Sequence, residues 1–166
     1  MKRSGGKSFV VLFAVVTTAF LAPPHARASA RDTATTLLSS LNATRAQHGL
    51  HALRRKRALD MSAVLKARAI VSCGNFSHTP CGLPLLRTFQ QTGYFRGRVR
   101  IGENLYWGTA GAGAPASAVV AWLRSPPHRA NLLGHWRDAG IGILHEPSLF
   151  GHSDVWLYVL QFGRRG

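Results

Sequence analysis

The chain has 166 residues, is 46% hydrophobic and carries 21 Lys and Arg against 6 Asp and Glu, a formal net charge of +15. That length can bury a substantial core without a metal or many disulfides, which sets aside the small stapled scaffolds. The charge favours anionic partners such as cell-wall polymers, anionic lipid surfaces or nucleic acid; it equally describes an arginine-rich surface that is merely solvated.

The N-terminal segment reads as an export signal. Lys2, Arg3 and Lys7 form a positive start, Ser8 to Ala22 is apolar, Pro23-Pro24 breaks any helix, and Ala26-Arg27-Ala28 or Ala28-Ser29-Ala30 supplies a small-x-small cleavage site. The apolar run falls short of the roughly 20 residues of a spanning helix, so secretion is favoured over a membrane anchor. The expected layout is a signal peptide over residues 1–28 and one domain over residues 29–166, secreted and monomeric. Removing Lys2, Arg3, Lys7 and Arg27 leaves that domain at +11. Export and the lack of a recognisable nucleic-acid motif argue against nucleic acid as the partner.

Asp32 or Thr33 is placed to cap a helix over about residues 33–48, with Leu37, Leu38, Leu41 and Arg45 at helical spacing and Gly49 as its stop. The run Arg54-Arg55-Lys56-Arg57 reads as a solvated loop or an envelope contact. A second helix is expected from about Ala58 to Cys73, with Leu59, Ala63, Ala67 and Ile70 on the packed face, Lys66 and Arg68 directed elsewhere, and Gly74 as its C-terminal cap.

Cys73 and Cys81 bracket a loop containing His78. In an exported chain they are expected to be bridged, which would steady His78; the alternative is two thiols that never pair. A short helix over Leu85–Gln91 follows, then a strand running from the Arg96 region to about Tyr106. Gly108 to Ala114 reads as a flexible linker or a lid. Pro115 opens a helix that buries Val119, Trp122 and Leu123, Ser125-Pro126-Pro127 ends it, and His128 to Leu133 forms a short helix closed by Gly134. Ala139–Leu144 and Val155–Phe162 are strands joined by a long loop. Helices first and strands last predict an α+β fold on a small, mostly antiparallel sheet. Trp122, Trp136, Trp156 and Tyr158 are expected in the core.

Phe76-Ser77-His78-Thr79, Gly93-Tyr94, Gly102-Glu103-Asn104, Trp122 through Leu133, Gly140-Ile141-Gly142 and Gln161-Phe162-Gly163 follow one another over most of the chain. Together with Asn42-Ala43-Thr44-Arg45 near the start, this series resembles the CAP superfamily of cysteine-rich secretory, antigen 5 and pathogenesis-related 1 proteins, and most of all its bacterial secreted members. The resemblance implies an α-β-α sandwich with a cleft lined by His78, Glu103 and His128. Two imidazoles and a carboxylate can hold a divalent metal such as Zn²⁺. Many family members have a second glutamate three residues after the tryptophan; here Ser125 stands there, which weakens any two-carboxylate mechanism. Asn104 and Asn131 read as supporting hydrogen-bonding groups.

Three functions remain open at this level. The first is an envelope binding module, with an anionic polymer or, by family analogy, a sterol or lipid as its partner. The second is a metal-dependent hydrolase with Glu103 as ligand or base. The third is a structural or interaction protein with a vestigial cleft, in which Glu103 ties its own turn and His128 caps its helix. Other catalytic templates fail: His145-Glu146 starts an H-E-x-x-H pattern that ends on Leu149, and no G-x-S-x-G elbow occurs. His25, His48, His51, His135 and His152 fit no ligand spacing.

Overall fold

The computed structural model describes residues 29–166; the expected signal peptide lies outside them. In chain order the elements are α1 (Ala30–Gln47), β1 (Arg54–Arg55), α2 (Arg57–Cys73), α3 (Leu85–Gln91), β2 (Val99–Thr109), α4 (Pro115–Arg124), α5 (Pro126–Leu132), β3 (Asp138–Leu149) and β4 (His152–Arg165). The fold is α+β, with helices on both faces of a four-stranded sheet ordered β1-β3-β4-β2. β1 runs parallel to β3, and the other pairings are antiparallel.

α1 starts earlier than its sequence suggests. The Ser29 hydroxyl accepts from the Asp32 backbone N–H at 3.2 Å and donates to the Asp32 carboxylate at 2.7 Å. Asp32 is therefore the third helical residue, its charge facing the positive end of the helix, and the cap lies upstream of it. The basic run is not a plain loop either: Arg54 and Arg55 pair with Asp138 and Ala139 as the short β1, and Arg57 begins α2.

The sheet divides two apolar layers by its period of two. Ile141, Ile143, Tyr158, Leu160 and Phe162 face Leu37 and Leu41 of α1, Val119 and Trp122 of α4 and Leu132 of α5. Leu105, Leu157 and Val159 face Ala63, Ala67 and Ile70 of α2. Trp122 and Tyr158 lie deep in the core, whereas Trp136 and Trp156 are half-buried at its margin. α2 sits directly on β3 because Gly140 and Gly142 carry no side chain. A Cβ on Gly142 would come within 2.4 Å of the Ala63 carbonyl carbon, and one on Gly140 within 2.1 Å of that of Leu59.

The expected long hairpin loop is a two-residue turn. Phe150 (φ 54°) and Gly151 (φ 78°) both adopt the left-handed conformation that matches strand twist, and pairing continues out to Leu149 and His152. Pro147, with no N–H to offer, is passed over in the register, so the break-prone Glu146-Pro147 pair does not end the strand. The Gly108–Ala114 segment is likewise held. β2 extends to Thr109 and a 3₁₀ turn follows over Ala110–Gly113. The Tyr106 hydroxyl donates to the Ala112 carbonyl at 2.8 Å, and the Tyr158 hydroxyl donates to that of Gly113.

Candidate functional site

β2 is an edge strand, and successive residues on it point to opposite faces of the sheet. Glu103 points to the α2 face, beside its cross-strand neighbour Gln161; Asn104 points to the α5 face. At such an edge groups from both helical layers can meet, and His78, Glu103, Asn104, Ser125, His128 and Asn131 gather there.

Glu103 is buried, at 4% exposure. Its Oε2 accepts from Gln161 Nε2 at 2.8 Å, and its Oε1 lies 2.8 Å from His78 Nδ1. A carboxylate only accepts, so Nδ1 of His78 carries a proton, and in the neutral form of the ring the lone pair is on Nε2. His78 itself is half exposed, with 49% of its side chain accessible.

Two devices hold the His78 loop. Cys73 and Cys81 are bonded, closing the short loop around it; closure of this size contributes about 2–3 kcal/mol on the chain-entropy model. The second is Lys66, which is fully buried and donates from Nζ to the His78 carbonyl at 2.6 Å. Burial lowers the affinity of Lys66 for its proton, and the nearby Glu103 charge opposes that shift. Lys66 therefore balances the buried carboxylate as well as anchoring the loop. Lys66, expected to point away from the packed face, lies on it: Leu59, Ser62, Ala63, Lys66, Ala67 and Ile70 form one buried stripe of α2, and the 3.6-residue period puts position 66 on it.

His128 approaches from the other layer, in the first turn of α5. Its Nδ1 lies 2.7 Å from the Ser125 hydroxyl, so its ring partner is the side chain at the helix cap. Asn104 Nδ2 donates to the His128 carbonyl at 3.0 Å. Asn131 Nδ2 donates to the Glu103 carbonyl at 3.1 Å and to Asn104 Oδ1 at 3.0 Å. The two asparagines lock α5 onto β2 and set where His128 stands. Burial, and next the charge of His78, hold the His128 pKa below the usual histidine value. Among the described residues, no group of three His, Cys, Asp or Glu side chains is gathered closely enough to hold a metal ion. Of the histidines set aside on sequence, His25 lies outside the described residues, His152 packs at a tilt against Trp107, and His51 and His135 line a separate cavity.

A three-layer α-β-α frame, with a buried edge-strand carboxylate between a histidine loop and a histidine helix, has the architecture expected of a CAP domain. The model of the CAP cysteine-rich secretory protein family matches residues 38–160, and the chain belongs to that family. Its fold is similar to that of an outer surface protein from Borrelia burgdorferi (TM-score 0.65, 23% identity, covering 82% of this chain and 95% of that one). It is also similar to an extracellular SCP-domain protein from Bacillus anthracis (TM-score 0.64, 23% identity, 79% and 40%). A third similar structure is a cysteine-rich secretory protein from Staphylococcus aureus (TM-score 0.62, 18% identity, 81% and 39%). The chain thus spans only about two fifths of the Bacillus and Staphylococcus proteins. No curated protein matches it in sequence.

Proposed function

We propose that the protein is an extracellular binding module of the cell envelope whose edge-strand cleft holds a divalent cation such as Zn²⁺ on His78 and His128. One observation carries this reading. Each histidine has its Nδ1 engaged, by Glu103 and by Ser125, which leaves both Nε2 atoms for a shared ligand. A carboxylate on the far nitrogen of a metal-binding imidazole fixes its tautomer and raises its basicity. Ser125 accepts as readily as it donates, so His128 can present the same lone pair. Glu103, expected as a third ligand, spends both oxygens on Gln161 and His78 and acts as the orienting group. A divalent ion held there would polarise a bound water or carbonyl oxygen. The extracellular placement rests on the N-terminal export pattern and on the secretory character of the family; the basic surface favours an anionic polymer or lipid as partner.

Calorimetric titration with zinc tests the cleft. The wild type is expected to bind one ion, His78→Ala to lose binding, and Glu103→Gln to weaken it by about 10–100-fold. Equal binding by wild type and His78→Ala, or none by either, removes the metal site. The exposed, carboxylate-held His78 is what favours the rival hydrolase reading. The missing second carboxylate at Ser125 and the occupied oxygens of Glu103 weigh against it. Hydrolytic turnover by the zinc-loaded protein that vanishes in Glu103→Gln would reverse that preference.

A further inference from the structure

A cavity of about 710 Å³ opens between the end of α1, the 49–54 segment, the 135–137 segment and the end of β4. None of His78, Glu103, Ser125 and His128 lines it. Arg54, Arg137 and Arg164 line it, together with His51, His135 and the half-buried Trp136, and no carboxylate does. Among the described residues, none of those three arginines has an acidic partner. The closest acid along the chain, Asp138, is buried and accepts from the Tyr94 hydroxyl at 2.8 Å.

The wall adds further positive charge. Arg45 is 1% exposed, and its guanidinium donates only to carbonyls: to His51 at 3.1 Å, Leu132 at 2.7 Å and Gly134 at 3.0 Å. These bonds tie the two rim segments together and fix the shape of the cavity, while leaving a buried cation with no counter-charge. Arg100 is the direct cross-strand partner of Arg164 and lies over the Trp136 ring, 5.5 Å from its centroid. Like charges placed opposite one another across a sheet destabilise it, as does a buried charge without a partner. An anion in the cavity relieves both costs.

We propose that this cavity is a phosphate-ester site. Three free guanidinium groups call for more negative charge than one carboxylate carries, and their planar forks match phosphate oxygens in pairs. The volume lies within the range of small-molecule sites, about 300–1,000 Å³, and exceeds what a bare ion needs. Trp136 and Leu50 supply an apolar wall for the organic part of the ester. A soluble phosphate ester and a lipid headgroup share this chemistry, and two probes separate them. The inference stands whether or not the cleft binds metal.

The test uses the mature chain at about 0.15 M salt, where charges more than roughly 8 Å apart are screened and clustered ones still act. Inorganic pyrophosphate is titrated by calorimetry, and phosphatidylglycerol vesicles are compared with phosphatidylcholine vesicles by sedimentation. The double variant Arg137→Ala/Arg164→Ala removes two exposed pocket charges; Arg68→Ala/Arg87→Ala removes two exposed charges elsewhere. Saturable pyrophosphate binding that weakens by about tenfold or more only in the pocket variant establishes a site for the phosphate group of soluble compounds. The same selective loss on phosphatidylglycerol vesicles, without pyrophosphate binding, establishes a headgroup site. Equal weakening in both variants, or no binding of either probe, overturns the proposal. Zinc binding by the pocket variant should match wild type, so that failure here and failure of the cleft are read separately.

Discussion

At the residue scale, the site is a set of mutual constraints around one buried carboxylate. Gln161 and His78 occupy the two oxygens of buried Glu103, and Lys66 lies near enough to interact with it electrostatically; an unpaired buried charge would cost several kcal/mol. His128 shows the same environment from the other side. Burial first, and then His78, lowers its proton affinity. In metal-free protein its NMR titration midpoint is expected below the ordinary value of about 6.5, and to rise in His78→Ala while staying depressed by burial. A midpoint above 6.5 in the wild type contradicts that. Since the folded form holds this proton less tightly than the unfolded chain, the unfolded state binds more protons as pH falls below about 6.5. The stability that neutral His128 contributes is then lost as pH falls through its folded pKa. His78, Glu103 and His128 were legible in the sequence because the family order marks them. Lys66 was not, because a lysine is rarely buried without a partner and its partners, the His78 carbonyl and Glu103, are remote in sequence.

At the element scale, the distance between α2 and β3 governs the site, since α2 carries Lys66 and leads into the His78 loop. Gly140 and Gly142 set that distance. Gly142→Ala pushes a methyl against the Ala63 backbone, which cannot rotate aside as a side chain could. It is expected to destabilise the fold by about 1–3 kcal/mol, seen as a lower urea midpoint with an unchanged slope. An unchanged midpoint would mean that the layers are not in close contact. Element identity was readable from periodicity and from Gly and Pro punctuation, as with α2 ending at Gly74 and α4 opening at Pro115. Element ends were less so. The strand pairing of Arg54-Arg55 depends on β3, remote in sequence; the Ser29 cap and the tight Phe150-Gly151 turn are local, but Asp32 is as good a cap by residue type and Glu146-Pro147 marks an earlier break. Gly108 to Ala114 reads as flexible because its residues are small; two tyrosine hydroxyls from the sheet hold it.

At the scale of the whole molecule, the two helical layers meet around the free edge of β2. The family match and the three similar structures agree on that frame. The chain's net charge of +15 acts over the same scale. Sedimentation with cell walls or anionic vesicles is expected to be strong at low ionic strength and to decline as added salt shortens the screening length. No retention even at low salt would sink the anionic-envelope reading, whereas a residual, salt-resistant fraction would trace to the arginine cavity.

What the amino-acid order determined alone was the period of each element, the α+β class and the family. Periodicity, capping residues and motif order are local or linear properties, and they survive without coordinates. Which charges are buried, and against what, was decided only in three dimensions. Lys66 beside Glu103, Arg45 held by three carbonyls, and four arginines brought to one end of the sheet all join residues remote in sequence. Their energies depend on distance and solvent exposure, which no linear pattern carries.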